Sequence, residues 1–482
     1  MKRSQISPAA AAIAAAATAL PSFAAAPKSA TTAAAAARPN VILIITDQQQ
    51  VQKVSYLGFN GFRTPAIDRI AAAGYAFTNA YCVFPLSVPS RVAIFTGHYP
   101  SSAGVRGNSP GKVDFSDMKS QLLGNLFDNA GYDTWYGGKI HLPYDRDNTD
   151  ASYYGFRHTY TINKGAGLGE RAAGLIDSLS RGGKPYFLVA SFLNPHDICG
   201  FDNVVDKKRG YKGMSPLLRE HFAASQKISH DEFFGTVAPL LPDNFPPTQN
   251  ATDRVPGFKP DYTQDEWRLR RWVYNRLVED VDQDIAPIVN QIESKGLLDN
   301  TIVIFTSDHG EMDGSHGIEL KNSPYGECQK IPFIFAGPGI VKKVDKANAV
   351  SNGNDLMPTL CDFIGAPIPD GLPGKSLKPL LTGKAASTGR DYIFCEGGNW
   401  FQVVYQGRYK YTLIEDIGLP ALLVDLQKDP GEKVNLIGNP ACADIEKKLS
   451  GLLAKELSRR GITPNPNRKN DMRKEGKKGG DE

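Results

Sequence analysis

Three stretches of the chain are mostly apolar, and each is followed at once by polar residues. They are Val41–Thr46, Tyr186–Phe192 and Thr301–Thr306. Hydrophobic runs of this length are typical of strands covered on both faces of a parallel sheet. Helical periodicity is found at Pro65–Ala73, Leu122–Ala130 and Trp267–Lys295. Because strands and helices alternate, the pattern predicts an α/β domain with a large, mainly parallel sheet sandwiched by helices.

The polar residues that follow these strands are candidates for one shared site. Asp47 follows the first strand, and the segments Asn194-Pro195-His196-Asp197 and Ser307-Asp308-His309-Gly310 follow the other two. Parallel strands end at the same edge of a sheet, and ligands of open α/β sheets bind at that edge. We therefore expect three distant parts of the chain to meet there.

A change of pattern near residue 385 predicts a second, smaller unit. Short β-rich runs occur at Asp391–Cys395, Phe401–Tyr405, Tyr409–Leu413 and Leu422–Leu426, and a helical pattern covers Ala443–Arg459. We predict a catalytic α/β domain at residues 38–384 and a C-terminal subdomain, an antiparallel sheet with one helix, at residues 385–462. The mixed charges of residues 463–482 favour a disordered tail over an arm that binds polyanions.

The N-terminus has the pattern of a secretory signal peptide. Lys2 and Arg3 precede an Ala-rich apolar run, and Ala24-Ala25-Ala26 fits an A-x-A cleavage site. The alternative is an Ala-rich helix of the mature protein. We favour a signal peptide at residues 1–26, a low-complexity linker at residues 27–37, and a periplasmic or secreted bacterial protein. No later stretch offers about 20 uninterrupted apolar residues, so no membrane anchor is expected.

Composition argues against several classes of protein. Hydrophobic residues make up 41% of the 482 residues, which is enough for a large core. The formal charge of +4 is small against 55 basic and 51 acidic residues, so the charge gives no case for a nucleic-acid partner. The six cysteines include no C-x-x-C pair, which argues against zinc or thioredoxin chemistry and leaves disulfide pairing open.

The segment around Ser87 combines a nucleophile with the start of a helix. Pro89 suits the first turn of a helix, which puts Ser87 at an N-terminus whose free N–H groups favour an anion. Arg91 lies four residues after Ser87 and can turn toward the same point. The residues alone leave a second interpretation open, in which Ser87 is an ordinary helix-capping serine.

Two oxygen-rich pairs, Asp47-Gln48 and Asp308-His309, follow buried strands. Carboxylate and amide oxygens suit a hard cation, Ca2+ or Mg2+, better than a soft metal. The alternative from the residues alone is that the two aspartates cap helices.

The run Ser87-Val88-Pro89-Ser90-Arg91, followed by Thr96-Gly97, resembles the signature of the formylglycine-dependent sulfatases of the alkaline phosphatase superfamily. The resemblance implies an alkaline-phosphatase-like fold and oxidation of Ser87 to formylglycine (3-oxoalanine). A serine at this position implies an anaerobic radical S-adenosylmethionine sulfatase maturase as a partner. Cys82 does not fit the signature, because its segment lacks the proline spacing and the arginine. The implied ligands of the cation, Ca2+ with Mg2+ as the alternative, are Asp47, Gln48, Ser87, Asp308 and His309.

Further motifs extend the resemblance from about Pro39 to Arg459, and its C-terminal part is carried by Gly371-Leu372-Pro373-Gly374-Lys375-Ser376-Leu377 and by Asp425-Leu426 with Asp429-Pro430-Gly431-Glu432. Gly138-Lys139-Ile140-His141 matches the family's G-K-x-H, His196 matches the histidine after the central strand, and Lys321 stands where the family keeps a second lysine. The implied roles are that Arg91, Lys139 and Lys321 neutralise the sulfate, that His196 protonates the departing alcohol, and that His141 takes a proton when sulfate leaves. Many members carry Asp where this chain has Gln48, which makes Gln48 a departure from the pattern.

The implied function is hydrolysis of sulfate monoesters, with sulfated carbohydrates as the substrate. One alternative is a phosphate or phosphonate monoester hydrolase of the same superfamily. Phosphatases of that superfamily commonly build a second metal site, whereas Lys139 and Lys321 supply fixed positive charges here. The other alternative is a catalytically silent glycan-binding protein whose Ser87 stays unmodified. The loops at about Asp197–Arg254 match no motif, so neither the sugar nor the position of its sulfate is predicted.

Overall fold

The computed structural model describes residues 38–109, 113, 115–143, 150–162, 165–205, 214–251, 255–416 and 418–467. The predicted signal peptide and linker, and residues 468–482 of the predicted tail, lie outside the described residues. The two predicted domain boundaries, after residues 384 and 462, stay predictions.

A large mixed sheet forms the centre of the molecule. The strands of the described residues are β1 (Asn40–Asp47), β2 (Tyr75–Phe77), β3 (Ala80–Tyr81), β4 (Asp133–Gly138), β5 (His158–Thr161), β6 (Tyr186–Pro195), β7 (Thr301–Ser307), β8 (Phe333–Ala336), β9 (Lys343–Asp345), β10 (Val350–Ser351), β11 (Tyr392–Glu396), β12 (Trp400–Tyr405), β13 (Tyr409–Ile414) and β14 (Leu419–Asp425). Eight of them form one sheet in the order β5-β4-β6-β1-β7-β8-β2-β9. The pairs on either side of β1 are parallel, whereas β8 runs antiparallel to β7 and β2. The predicted mainly parallel sheet is confirmed.

β1 lies between β6 and β7, and the register of these strands brings their carboxyl ends together. Thr46 pairs with Ser307, and Asp47 pairs with Pro195. The polar residues that follow all three strands therefore share one edge of the sheet. This is the meeting that the apolar runs predicted, and it occurs because the three strands are adjacent and parallel in one sheet.

Helices cover both faces of the sheet. Those of the described residues are α1 (Pro65–Ala73), α2 (Ser87–Thr96), α3 (Leu123–Asn129), α4 (Leu168–Ser180), α5 (Asp202–Val205), α6 (Pro216–Ser225), α7 (His230–Glu232), α8 (Gln264–Ser294), α9 (Gly326–Gln329), α10 (Asn352–Ile364), α11 (Lys378–Leu381) and α12 (Ala443–Arg459). Alternate β1 residues face opposite layers: Leu43 packs with apolar residues of α2, α3 and α10, and Ile44 packs with those of α1, α4 and α8. None of the helices in the described segments is both long enough and apolar enough to cross a membrane.

The C-terminal part of the chain forms a separate four-stranded sheet. Strands β11 to β14 follow one another in antiparallel order, and α12 packs its Leu449 and Leu453 against the aromatic and aliphatic residues of this sheet. The predicted antiparallel sheet with one helix is confirmed. All six cysteines lie in described segments and are free thiols, so the question of disulfide pairing that the sequence left open is answered.

Candidate active site

Ser87 is the first residue of α2 and is fully buried at the carboxyl edge of the sheet. Its Oγ lies 3.0 Å from Nε2 of His309 and 3.3 Å from Nζ of Lys321. The Lys321 ammonium donates to the Ser87 hydroxyl, because an ammonium has no lone pair to offer. Ser87 therefore lies between His309, which follows β7, and the ammonium group of Lys321, which comes 234 positions after Ser87 in the chain.

The start of α2 differs from the expectation that its free N–H groups would bind an anion. The N–H of Val88 donates to Oδ1 of Asn108 at 3.1 Å, and the N–H of Ser90 donates to the carbonyl of Leu86 at 2.9 Å. Pro89 has no N–H to offer. The three residues after Ser87 thus present no unbonded backbone donor, and positive charge at this site comes from side chains.

Arg91 faces two carboxylates. Its Nη2 lies 3.0 Å from Oδ2 of Asp47, and its Nε lies 3.1 Å from Oδ2 of Asp308. The remaining Nη1 donates to Oγ of Ser191 at 2.8 Å and to the carbonyl of Lys139 at 3.2 Å. The fully buried guanidinium of Arg91 thus joins the ends of the central strands, and its predicted contact with a bound anion stays a prediction.

Asp47, Asp308 and His309 form a compact group of possible metal ligands. One ligand atom from each lies within 4.8 Å of the other two, and all three residues are fully buried. Among the described residues, Oδ1 of Asp47 has no hydrogen-bond partner. Nδ1 of His309 lies 2.9 Å from the carbonyl of Gly310, an arrangement that suits a ring whose N–H points away from the cluster. The lone pair of Nε2 then faces the two aspartates.

The charges of this group depend on its neighbours. Burial by itself raises the pKa of Asp47, but Lys139 and the other nearby cations outweigh burial and hold that pKa well below its ordinary value. Burial and the adjacent charge of Asp47 raise the pKa of Asp308 to about 7. Two carboxylates this close repel each other when both are ionised. A cation between them would favour the doubly ionised pair.

Two lysines flank the cluster from different sides. Nζ of Lys139 lies 2.8 Å from Oδ2 of Asp47, and Nζ of Lys321 lies 2.8 Å from Oε1 of Gln48. Lys321 also contacts Ser87, as described above. The structure therefore brings both predicted lysines to the site, although Lys139 is paired with a carboxylate.

Both predicted catalytic histidines belong to the same electrostatic environment. Burial and the positive charge of Lys139 lower the pKa of His141 to about 3. Burial, Lys321 and Lys139 hold the pKa of His196 well below its ordinary value. Both rings are consequently neutral at pH 7. A neutral imidazole can accept a proton directly, so each ring suits the role of a base.

Two charged residues that no sequence motif predicted, Glu311 and Arg270, lie against this cluster. Oε2 of Glu311 accepts a hydrogen bond from Nε2 of Gln48 at 2.5 Å, and Oε1 of Glu311 lies 2.8 Å from Nη2 of Arg270. A signal for both was present in the sequence. Glu311 comes directly after the Asp308-His309-Gly310 motif, and Arg270 interrupts the apolar face of α8, where a charged residue requires a buried partner.

Comparison with known families identifies the chain over most of its length. The model described as Sulfatase matches residues 39–366. A second model, described as N-sulphoglucosamine sulphohydrolase, C-terminal, matches residues 314–459. Together they span the region over which the motifs resemble sulfatases.

Curated relatives and solved structures agree with this match. The chain is 29% identical to a Delta 4,5-hexuronate-2-O-sulfatase of Bacteroides thetaiotaomicron, with 82% of this chain and 84% of the relative covered. It is 27% identical to an arylsulfatase of Clostridium perfringens, covering 84% and 92% of the two chains. The solved structure of a 2-O GAG sulfatase superposes with a TM-score of 0.72 at 27% identity and covers 90% of this chain and 96% of the other. A phosphonate monoester hydrolase of Agrobacterium radiobacter, at 22% identity and a TM-score of 0.65 over 88% and 96% of the two chains, shares the fold.

Proposed function

This chain belongs to the sulfatase family and is a sulfatase, and from that premise we propose that it removes sulfate from sulfated carbohydrates with formylglycine formed from Ser87 as its nucleophile. The observation that carries the proposal is the position of Ser87, whose Oγ lies within 3.3 Å of both His309 and Lys321. The substrate class is supported by relatives from Bacteroides thetaiotaomicron named for a sulfated hexuronate and for N-acetylglucosamine 6-O-sulfate chemistry.

We propose Asp47, Gln48, Ser87, Asp308 and His309 as ligands of a divalent cation, Ca2+ with Mg2+ as the alternative. The residues fit such an ion, since the buried Oδ1 of Asp47 has no hydrogen-bond partner among the described residues. The donor set of two carboxylates, one amide oxygen, the oxygen at position 87 and one imidazole is rich in the hard oxygen ligands that these cations prefer. A bound cation would neutralise charge on the sulfate oxygens and orient the nucleophile.

Cationic side chains supply the rest of the charge that a sulfate ester needs. A sulfate monoester repels nucleophiles because it carries negative charge, so the enzyme must neutralise that charge while the ester reacts. Lys321 contacts Ser87 directly, and we propose that it binds a sulfate oxygen at the nucleophile. We propose that Arg91 and Lys139 contribute further positive charge toward the sulfate, and Arg91 in addition contacts Asp47 and Asp308.

We propose different roles for the two histidines, His141 and His196. His141 is neutral in the free enzyme and suits a base that accepts a proton when sulfate departs. His196 is the proposed acid that protonates the leaving alcohol. Its ring is neutral in the free enzyme, so the proton has to be stabilised by the negative charge of the bound ester.

Formylglycine supplies a hydrated aldehyde, of which one hydroxyl attacks sulfur and the other permits carbon–oxygen cleavage to expel sulfate. An unmodified serine lacks that second hydroxyl. We therefore propose an anaerobic radical S-adenosylmethionine sulfatase maturase as a partner, and export to the periplasm or the medium through a signal peptide at residues 1–26.

The experiment is mass spectrometry and assay of protein produced with such a maturase. The tryptic peptide Ile70–Arg91 contains Ser87 and should be lighter by two hydrogens after oxidation. The modified enzyme should release sulfate from defined sulfated mono- and disaccharides, whereas Ser87→Ala should fold and release none. Activity of Ser87→Ala within about tenfold of wild type, which is about 1.4 kcal/mol of barrier, would exclude the formylglycine mechanism.

The same assay separates a sulfatase from a phosphate or phosphonate hydrolase. Among the described residues, Asp47, Asp308 and His309 are the single group with the spacing of metal ligands, which does not favour a two-metal phosphatase. Matching phosphate and phosphonate esters should react at least tenfold more slowly than the sulfate esters. An intact serine in enzyme from its native host would instead favour a silent glycan-binding protein.

A further inference from the structure

The carboxylate of Glu311 is fully buried and holds one end of the Gln48 amide. Its Oε2 accepts a hydrogen bond from Nε2 of Gln48 at 2.5 Å. Its Oε1 accepts hydrogen bonds from Nη2 of Arg270 and from the backbone N–H of Leu320, each at 2.8 Å. An ionised carboxylate only accepts hydrogen bonds, so Glu311 binds the NH2 end of the amide and not its oxygen.

The oxygen end of Gln48 consequently faces the catalytic cluster. Oε1 lies 2.8 Å from Nζ of Lys321, and the same Nζ lies 3.3 Å from Oγ of Ser87. The two ends of a glutamine amide have nearly the same shape, so hydrogen-bond partners decide which end faces which way. The backbone of Gln48 is also held, because its carbonyl accepts a hydrogen bond from the Tyr274 hydroxyl at 2.6 Å.

We propose that Glu311 is a positioning residue, which sets the Gln48 amide with its oxygen toward the cation and toward Lys321. This inference rests on the proposed role of Gln48 as a metal ligand. Arg270 supplies the positive charge that compensates Glu311 in the core, and its Nε lies 2.8 Å from a second carboxylate, Glu319. Through Leu320, Glu311 also holds the residue that precedes Lys321.

Replacing the carboxylate by an amide reverses this arrangement. In Glu311→Gln, the new amide oxygen can still accept from Arg270 and Leu320, but its NH2 group then faces the NH2 group of Gln48. Two donors repel each other, so the Gln48 amide must turn over and present NH2 to Lys321 and to the cation. Neither is an acceptor, and the cation loses an oxygen ligand.

Calorimetric titration of metal-free enzyme with Ca2+ measures this effect without relying on turnover. Changes to groups that orient a metal ligand commonly cost 10- to 100-fold in affinity, and we expect the Ca2+ Kd of Glu311→Gln to rise at least tenfold. The matched control is Glu319→Gln, which removes another buried carboxylate at Arg270 without touching Gln48. Glu319→Gln and Glu311→Gln should lower the thermal midpoint of unfolding by similar amounts. Only Glu311→Gln should weaken Ca2+ binding, and the Ca2+ Kd of Glu319→Gln should stay within twofold of wild type.

Exchange of the two side chains tests the polarity of the contact. In the double variant Gln48→Glu/Glu311→Gln, the amide at position 311 donates to a carboxylate at position 48, whose second oxygen faces the cation. We expect this variant to bind Ca2+ at least tenfold more tightly than Glu311→Gln alone. Gln48→Glu alone sets two carboxylates against each other and should bind more weakly than the double variant, a non-additive pattern that independent sites do not give.

The outcomes separate this inference from the proposed metal site. A wild-type enzyme that binds neither Ca2+ nor Mg2+ would overturn both, and if it binds only Mg2+ the same comparisons are made with Mg2+. If the wild type binds Ca2+, the role of Glu311 alone is overturned by a rise of less than tenfold in Glu311→Gln. It is equally overturned by a double variant that binds no more tightly than Glu311→Gln, or by an equal loss of affinity in the Glu319→Gln control.

Discussion

Arg91 and Asp47 form a fully buried ion pair, in which Nη2 lies 3.0 Å from Oδ2. The same guanidinium reaches Asp308 at 3.1 Å. One planar side chain thus binds the residues that end two neighbouring strands, a geometry that suits the fixed fork of arginine and not the single ammonium of lysine.

We expect Arg91→Met to destabilise the protein strongly, because it leaves two buried carboxylates without their shared cation. Removing one partner of a buried ion pair costs about 3–5 kcal/mol. The matched control is Arg69→Met, which removes the partly exposed pair with Glu293 and should cost less than about 1 kcal/mol. Urea unfolding of both variants in metal-free buffer measures the two costs, and equal costs would contradict the structural role given to Arg91.

Asp308→Asn removes one negative charge from the proposed metal site, so Ca2+ should bind more weakly. Activity should then be recovered, if at all, only at high Ca2+ concentration. Titration of activity with Ca2+ and with a chelator measures the change. Asp345→Asn is the control, since Asp345 is a buried carboxylate that contacts Tyr75 and Asn348 and not this cluster. If Asp308→Asn and the wild type respond alike to the chelator, Asp308 is not a ligand.

Loss of His196 should depend on the leaving group. A sugar alcohol leaves poorly without a proton, whereas an activated phenolate leaves unaided. His196→Ala should therefore reduce kcat/KM much more for a sulfated sugar than for an activated aryl sulfate. A reduction of the same size for both substrates would remove His196 from the role of acid.

Loss of His141 should give a different kinetic pattern. Departure of sulfate from the enzyme is the same step for every substrate, because the alcohol has already left. His141→Ala should therefore slow both substrate types to a common rate, after a rapid first release of alcohol. Rapid-mixing kinetics detects that first release, and its appearance in His196→Ala instead would mean that the two roles are reversed.

We expect His316 to make the stability of the fold depend on pH. Its ring stacks on Tyr325 with centroids 3.8 Å apart, and Nδ1 lies 3.1 Å from Oγ1 of Thr248. Burial lowers the pKa of His316 to about 4, whereas an unfolded histidine has a pKa of about 6.5. The unfolded chain therefore binds the proton first as pH falls, and stability is lost between about pH 6.5 and pH 4, by about 3 kcal/mol in total.

His316→Phe tests this dependence, because phenylalanine keeps the stacked ring and cannot titrate. The variant should be less stable than wild type at pH 7, where it lacks the hydrogen bonds of the imidazole. Its unfolding free energy should fall less steeply than that of wild type from pH 6.5 to pH 4. Parallel pH profiles for the two proteins would show that His316 is not the group responsible.

The order of the main elements followed from the sequence because burial leaves a direct mark on it. The apolar run at Val41–Thr46 has no polar face, which is expected only for a strand covered on both sides, and it forms the centre of the large sheet. The polar residues directly after such parallel strands therefore had to lie at the same edge of the sheet. For the same reason Asp47, His196 and Asp308 were predicted to meet, although they are far apart in the chain.

Tertiary structure alone decided which of these polar groups contact each other. Arg91 bonds to Asp308, 217 positions away, and Asn108 from a loop accepts a hydrogen bond from the N–H of Val88. Gln48 meets Glu311 across 263 positions. Hydrophobic periodicity specifies which side of an element is buried, but hydrogen-bond partners depend on distances of a few ångströms between separate loops. Those distances are set by the packing of the whole chain and leave no periodic trace in its sequence.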